Sequence, residues 1–168
     1  TDFLALREQL ARDVQHASGL IEQVSLDGQT YQTETGTEAD SLILRLPAMD
    51  SNGTVLPDLY DVAVYTLQNV SGRPPSLTRQ LFANRNAQGD LLMSVQGSAR
   101  IPGTRRFTGE VVPPSPIGGV GPLFAFDRPI VAVAREVVLT ITLQATELMS
   151  TRRTFRQAYT ARFRLRNS

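Results

Sequence analysis

The spacing of the apolar residues changes once along this chain, and that change constrains the fold more than any other feature. From Phe3 to Val24 apolar residues recur every three or four positions, which keeps one stripe of an α-helix apolar. After Gln29 apolar and polar residues alternate, as they do in β-strands. The sequence therefore predicts a single α+β domain over residues 1–168, with an amphipathic helix at 1–25 packed on a mainly antiparallel β region at 30–168.

The alternation is clear enough to assign faces to several strands. Residues 41–46 place three leucines on one face, and Pro47 is expected to end that strand. Residues 59–67 are apolar on both faces, which predicts a central strand, followed by a hairpin partner at 77–83. The strongest pattern predicts two long antiparallel strands, 135–146 and 155–165. Between these pairs, residues 97–122 hold six glycines and five prolines, so we expect an irregular, exposed loop there.

Composition excludes several broad classes of protein. The 168 residues are 41% hydrophobic and 20% charged, as expected for a globular domain rather than a disordered chain. Cysteine is absent, so disulfides and thiolate metal sites are excluded. All 17 basic residues are arginine, yet the net charge is only +1, which argues against a general polyanion-binding role.

Enzymatic function is not predicted. The single histidine, His16, falls on the polar side of the predicted helix with no second base to complete a catalytic group. Two acidic pairs, Glu34 with Glu38 and Asp58 with Asp61, occupy predicted turns or strand edges, where acids commonly serve solubility. The sequence therefore predicts no catalytic residue, no cofactor and no small-molecule substrate.

One short stretch resembles the start of a calcium-binding loop. Asp50, Asn52 and Gly53 have the right residue types, but the acidic residue that should close such a loop is missing. Asn-Gly is already a strong turn sequence. We therefore expect a plain turn here and no metal site.

Five stretches of the sequence resemble prepilin-type proteins. They read REQLARDVQHASGLIE at 7–22, YDVAVYTLQN with LTRQLFAN at 60–84, VVLTITLQAT at 137–146 and YTARFRLRN at 159–167. The chain is most similar to minor type IV pilins of the W type and to J-type pseudopilins of type II secretion. The resemblance spans nearly the whole chain, although no motif in it is a catalytic signature.

This resemblance implies a pilin-like fold and a structural role without enzymatic activity. The chain would be a subunit at or near the tip of a type IV pilus or a type II secretion pseudopilus, with other pilins or pseudopilins as partners. In these families an apolar half-helix anchors the subunit in the inner membrane before assembly, and the head becomes periplasmic or extracellular in the filament. Thr1 would lie near the junction of the two helix halves, so the cleavage-site glycine and the membrane half are expected upstream.

The predicted assembly face is the apolar stripe of the helix, formed by Phe3, Leu4, Leu6, Leu10 and Val14. Most of this stripe is expected to pack on the β region, as amphipathic helices do. Phe3 and Leu4 are adjacent and point about 100° apart, which makes it hard for one sheet to bury both. We therefore expect a second contact surface at the start of the helix.

A second candidate site consists of arginines on one face of the last strand: Arg156, Arg162, Arg164 and Arg166. The simplest interpretation is a solvated outer face of the sheet. The alternative is an electrostatic contact with an acidic neighbouring subunit or with DNA phosphates. Two further hypotheses stay open from sequence: a head that binds DNA or a surface, and a stand-alone periplasmic β module.

Overall fold

The computed structural model describes residues 2–33, 38–68, 75–93, 97–107, 109–112, 122–148 and 152–165. This part of the chain contains one helix and twelve strands. The helix, α1, spans Asp2–His16. The strands are β1 (Gly19–Leu20), β2 (Gln23–Leu26), β3 (Gln29–Gln32), β4 (Glu38–Ala39), β5 (Ser41–Met49), β6 (Val55–Gln68), β7 (Ser76–Arg85), β8 (Gly103–Arg106), β9 (Glu110–Val111), β10 (Phe124–Phe126), β11 (Glu136–Leu148) and β12 (Arg152–Arg164). A 3₁₀ turn at Val131–Val133 precedes β11.

The strands form two five-stranded sheets and one small hairpin, and every pairing is antiparallel. Sheet I has the order β1-β5-β6-β7-β8. Sheet II has the order β12-β11-β10-β4, and β9 also pairs with β11. The hairpin joins β2 and β3 through Asp27 and Gly28, whose φ angles of 52° and 83° fit the two-residue turn that Asp-Gly favours.

Both faces of sheet I are covered, by different layers. One face packs against α1 and sheet II, and Leu10, Tyr65 and Leu139 are fully buried in this main core. The other face packs under the β2–β3 hairpin, where Ile43 and Val64 contact the apolar side of β2. Alternating residues of β5 and β6 thus enter two separate cores, which explains why both strands are apolar on both sides.

The helix is shorter than the sequence predicted. The expected helix ran to residue 25, but α1 ends at His16 and the chain turns into strands. The Ser18 N–H donates to the Arg45 carbonyl at 2.8 Å, and the Ile21 N–H donates to the Ile43 carbonyl at 2.9 Å. Ile21 and Val24 have helical spacing, but the chain pairs with the edge of β5 instead of continuing the helix. Gly19 favours this outcome because glycine destabilises a helix.

The prediction of a pilin-like α+β fold is wrong. The described chain is mainly β, with one short helix and several antiparallel sheets. The physical reason is the early helix end: residues expected in the helix instead add a strand to sheet I and build the covering hairpin. What remains of the helix is one element lying between two sheets.

The strong strand predictions are confirmed, and the weak ones need correction. Strands β5, β6, β7, β11 and β12 lie where alternation placed them, and both predicted pairs are antiparallel. Pro47 does not end β5, because a register shift between Pro47 and Met49 accommodates it. The predicted loop at 97–122 contains β8 and β9, and Phe107 and Val111 there are buried; residues 113–121 lie outside the described part of the chain.

Candidate functional site

The amino end of α1 combines an anchored aromatic ring with an exposed apolar side chain. The Phe3 ring stacks on the Tyr159 ring of β12, with centroids 4.3 Å apart and planes 20° from parallel. Leu4, next along the helix, is 51% exposed. Phe155, on the same face of β12 as Tyr159, is 49% exposed. Leu4 therefore leaves apolar surface at a helix end that is itself held in place, and Phe155 adds exposed apolar surface four residues before Tyr159 on β12.

The other predicted members of the assembly face serve the protein's own core. Leu6, Leu10 and Val14 are buried between the two sheets. Their contacts are therefore intramolecular. Of the five residues of the predicted assembly face, the structure leaves Leu4 exposed and Phe3 half-buried.

Asp13 is buried at the centre of the helix–sheet contact. Arg79 of β7 holds its carboxylate with two hydrogen bonds, from Nε to Oδ2 at 2.6 Å and from Nη2 to Oδ1 at 2.9 Å. The Tyr65 hydroxyl donates to Oδ2 at 2.5 Å, and Gln9 donates to Oδ1 at 3.2 Å. The four donors satisfy the buried carboxylate and fix α1 to the middle of sheet I.

The surroundings of this buried cluster shift the pKa values of Tyr65 and Arg79. Burial raises the pKa of Tyr65 well above its usual value, and the charge of Asp13 beside it adds to the effect. Burial alone would lower the pKa of Arg79, but the hydrogen bond and charge of Asp13 outweigh it and the pKa is raised. The phenol therefore stays protonated and the guanidinium charged, so the cluster ties the helix to the sheet rather than exchanging protons.

A second buried carboxylate belongs to Asp61 of β6, four residues before Tyr65 on the same strand. Asp61 is fully buried, and its Oδ2 accepts hydrogen bonds from Ser98 Oγ at 2.5 Å and from Arg100 Nη1 at 2.8 Å. Its Oδ1 accepts the backbone N–H of Asn84 at 3.1 Å. These bonds pin the segment around Ser98 onto sheet I. The sequence interpretation of Asp61 as a solubility-serving acid is therefore wrong.

A third ion pair closes the covering hairpin onto sheet I. The buried side chain of Arg85 donates from Nη1 to Asp27 Oδ1 at 2.7 Å and from Nη2 to Oδ2 at 3.1 Å. The hydrogen bond from Arg85 lowers the pKa of Asp27. Each of these three aspartates is thus bound by one arginine, Arg79, Arg100 or Arg85. The planar guanidinium group suits this role because it can donate several hydrogen bonds at once.

Further exposed apolar side chains lie at the end of sheet I where β6 begins and β7 finishes. Met93 is 94% exposed and Ile101 is 87% exposed. Leu91 bridges to Arg85, and the Leu92 N–H donates to the Asn84 carbonyl at 2.8 Å, which places this segment at the end of β7. We call Leu91, Leu92, Met93 and Ile101 the β7-end patch.

The predicted arginine face is only partly assembled. Arg156, Arg162 and Arg164 are exposed on the same face of β12, whereas Arg166 lies outside the described residues. Arg162 and Arg164 border a groove beside α1, and Arg135 joins them there. Arg156 does not line that groove. Arg135 was missed from sequence because it precedes β11, and only the β11–β12 register brings it opposite residue 165.

The predicted turn at Asp50 is confirmed. Asp50 Oδ1 accepts the N–H groups of Asn52 and Thr54, each at 2.9 Å, and Gly53 N–H donates to the Asp50 carbonyl at 3.0 Å. These bonds explain why an aspartate begins the turn. Across the described ranges, no three His, Asp or Glu side chains lie close enough together to hold a metal ion.

Within the described residues, α1 is not long and apolar enough to cross a membrane.

Comparisons with protein-family models, with curated proteins and with solved structures yield no match to this chain.

Proposed function

We propose that this chain is a non-enzymatic subunit of an envelope filament, a minor pilin or a pseudopilin that packs against other pilin-type subunits. The proposal draws on the prepilin-type sequence motifs and on two exposed apolar surfaces. It does not draw on a pilin-like fold, which the structure contradicts. Cell-envelope location and an upstream membrane-anchored helix half belong to the same proposal.

The observation that carries the proposal is the placement of these two surfaces at opposite ends of one strand. Leu77, near the start of β7, lines a cleft with Phe3 at the amino end of α1. The β7-end patch joins the chain at Arg85, where β7 finishes. Eight residues of strand separate these positions, which corresponds to about 26 Å. The molecule thus carries one apolar contact surface towards each end of sheet I.

Two different surfaces are what a filament subunit needs. A contact in which one surface of a subunit meets a different surface of the next generates an open helical assembly unless the rotation closes into a ring. A contiguous patch of exposed apolar side chains on an otherwise well-packed protein marks such an interaction site. Leu4 would meet a neighbouring subunit, while the stacked Phe3 and Tyr159 rings hold the helix at a fixed angle to the β region.

Copurification tests this function. The natural full-length protein is expressed with the other pilin-type subunits of its own system, and the partners that copurify are identified by mass spectrometry. We expect pilin-type partners for the unchanged protein and a loss of about tenfold or more for Leu4→Arg, because a charge would be buried in an apolar contact. Glu8→Arg, at an exposed position one turn further along α1, is the matched control. Absence of pilin-type partners would contradict the proposal.

A further inference from the structure

The groove between α1 and β12 follows the free edge of a strand. It has a volume of about 590 Å³ and is lined by Ala11, Val14 and Gln15 of the helix, by Arg135, and by residues 162–165. Successive side chains of a strand point to opposite faces, so contact with four successive residues, 162–165, places the groove along the backbone at the end of β12 and not over one face of the sheet. Among the strands that the structure describes, β12 is the last of sheet II and has β11 on one side only.

The backbone along this edge has hydrogen-bonding groups without a partner in the described part of the chain. The Leu165 N–H donates to the Arg135 carbonyl at 2.8 Å, which fixes the phase of the β11–β12 ladder. In an antiparallel pair, residues alternate between those that bond to the partner strand and those whose N–H and C=O point away. The backbone groups of Arg162 and Arg164 therefore point outward, into the groove. Such an edge can accept another strand.

The side chains around the groove carry more positive than negative charge. Arg135, Arg162 and Arg164 are all exposed, and none takes part in an ion pair among the described residues. The carboxylate nearest in register is that of Glu136, which lies opposite Arg164 across the ladder. A second carboxylate lies close by, because Asp127 Oδ1 accepts the backbone N–H of Arg135 at 2.8 Å. Two carboxylates beside three guanidinium groups still leave an excess of positive charge.

We propose that this edge binds an extended acidic segment of a partner protein, which adds to sheet II as a strand beside β12. The partner's acidic side chains would lie beside Arg162 and Arg164, and its alternate residues would face Val14 and Phe163. Because neighbouring strands place paired residues on the same face, the segment should alternate acidic and apolar residues. Residues 162–165, the last three of β12 and the residue that follows, offer an edge about 13 Å long.

This site lies beside the last turns of α1 and is separate from the exposed Leu4 at the amino end. It goes beyond the proposed assembly role and does not depend on it. A test on the isolated chain with a synthetic peptide can therefore fail while the filament contact at Leu4 stands, and the reverse also holds.

The experiment measures binding of an acetylated, amidated octapeptide of alternating Glu and Val to the intact chain by calorimetry or fluorescence anisotropy. We expect saturable binding that weakens about 3- to 10-fold in the double variant Arg162→Ala/Arg164→Ala, since each partly exposed ion pair contributes modestly. Arg156→Ala is the matched control, an exposed arginine of the same strand outside the groove, and should bind as the unchanged protein does.

Two altered probes separate strand addition from simple charge attraction. The same peptide with alternate backbone nitrogens methylated on its pairing edge keeps its charge but cannot donate to β12, and we expect its binding to be lost. A Lys-Val octapeptide should not bind either. Equal binding of the methylated peptide, equal weakening by Arg156→Ala, or no binding of the Glu-Val peptide at about 1 mM would overturn the proposal. So would binding of a DNA duplex, lost in the double variant, without binding of the peptide.

Discussion

The Arg79 guanidinium donates two hydrogen bonds of 2.6 and 2.9 Å to the Asp13 carboxylate. This ion pair joins the only described α-helix to the centre of sheet I. The two residues are 66 positions apart in sequence. Their side chains are only 12% and 6% exposed. Water therefore cannot solvate either charge well if the partner residue is removed. The position of α1, and with it the direction in which Leu4 points, depends on this contact.

Removing the Asp13 carboxylate should therefore be costly. We expect Asp13→Ala to lower the free energy of unfolding by about 3–5 kcal/mol, because Arg79 would remain buried without its counter-charge. Glu8→Ala, at an exposed position of the same helix, should change it by less than about 0.5 kcal/mol. Urea denaturation measures both. A loss below about 1 kcal/mol for Asp13→Ala would show that the ion pair does not hold the helix.

Tyr65 should make stability depend on alkaline pH. Burial raises the pKa of its phenol above the usual value, so the folded protein holds this proton more tightly than the unfolded chain does. Its contribution is therefore complete below the unfolded pKa of about 10 and is lost as the pH rises towards the folded pKa. In Tyr65→Phe the decline of stability above pH of about 10 should become shallower.

The same variant also loses a hydrogen bond to a charged acceptor. At neutral pH we expect Tyr65→Phe to cost about 1–3 kcal/mol, since the hydroxyl donates to Asp13. Tyr60→Phe is the matched control, because the described structure shows no hydrogen bond from the Tyr60 hydroxyl. Denaturation curves at several pH values measure both effects. An unchanged alkaline slope in Tyr65→Phe would refute the assignment.

Two glycines with similar backbone angles should respond differently to alanine. Gly53 and Gly89 have φ angles of 81° and 94°. A Cβ at Gly53 would meet nothing within 4 Å, whereas one at Gly89 would lie 2.7 Å from Val24 Cγ2 and 2.8 Å from the Ser25 carbonyl oxygen. Gly53→Ala should cost about 1–2 kcal/mol from backbone strain alone.

Gly89→Ala should cost about 1–3 kcal/mol more than Gly53→Ala, because the loop must also move away from the hairpin. Thermal unfolding of the two variants in parallel measures the difference. Equal losses would mean that the contact between Gly89 and the β2–β3 hairpin is loose.

Alternation predicted the interior of the fold well. Leu42, Leu44 and Leu46 enter the main core and Ile43 enters the core under the hairpin, as their spacing indicated. The sequence of such a strand specifies its orientation by itself, because its apolar residues must point to a buried face and its polar residues to an exposed one. The same reasoning found β6, β7, β11 and β12.

The remaining features depend on contacts between distant residues. Ile21 and Val24 continue the helical spacing of α1, yet Val24 also alternates with Leu26, and only the edge of β5 decides between the two structures. Asp13 reads as a surface acid until Arg79 and Tyr65 are placed beside it. β8 escaped prediction because its residues are exposed and carry no alternation. Edges and ion pairs are thus the parts that one sequence specifies least.

The proposed function requires Leu4 to contact a pilin-type partner, and the absence of cysteine allows a direct test. A cysteine introduced as Leu4→Cys is the only thiol of this chain and can be crosslinked in the assembled system. Arg12→Cys, exposed two turns further along α1, is the matched control. The account predicts a crosslink from position 4 to a pilin-type subunit, identified by mass spectrometry, and little or none from position 12. No crosslink from position 4, or equal crosslinking from both, would contradict it.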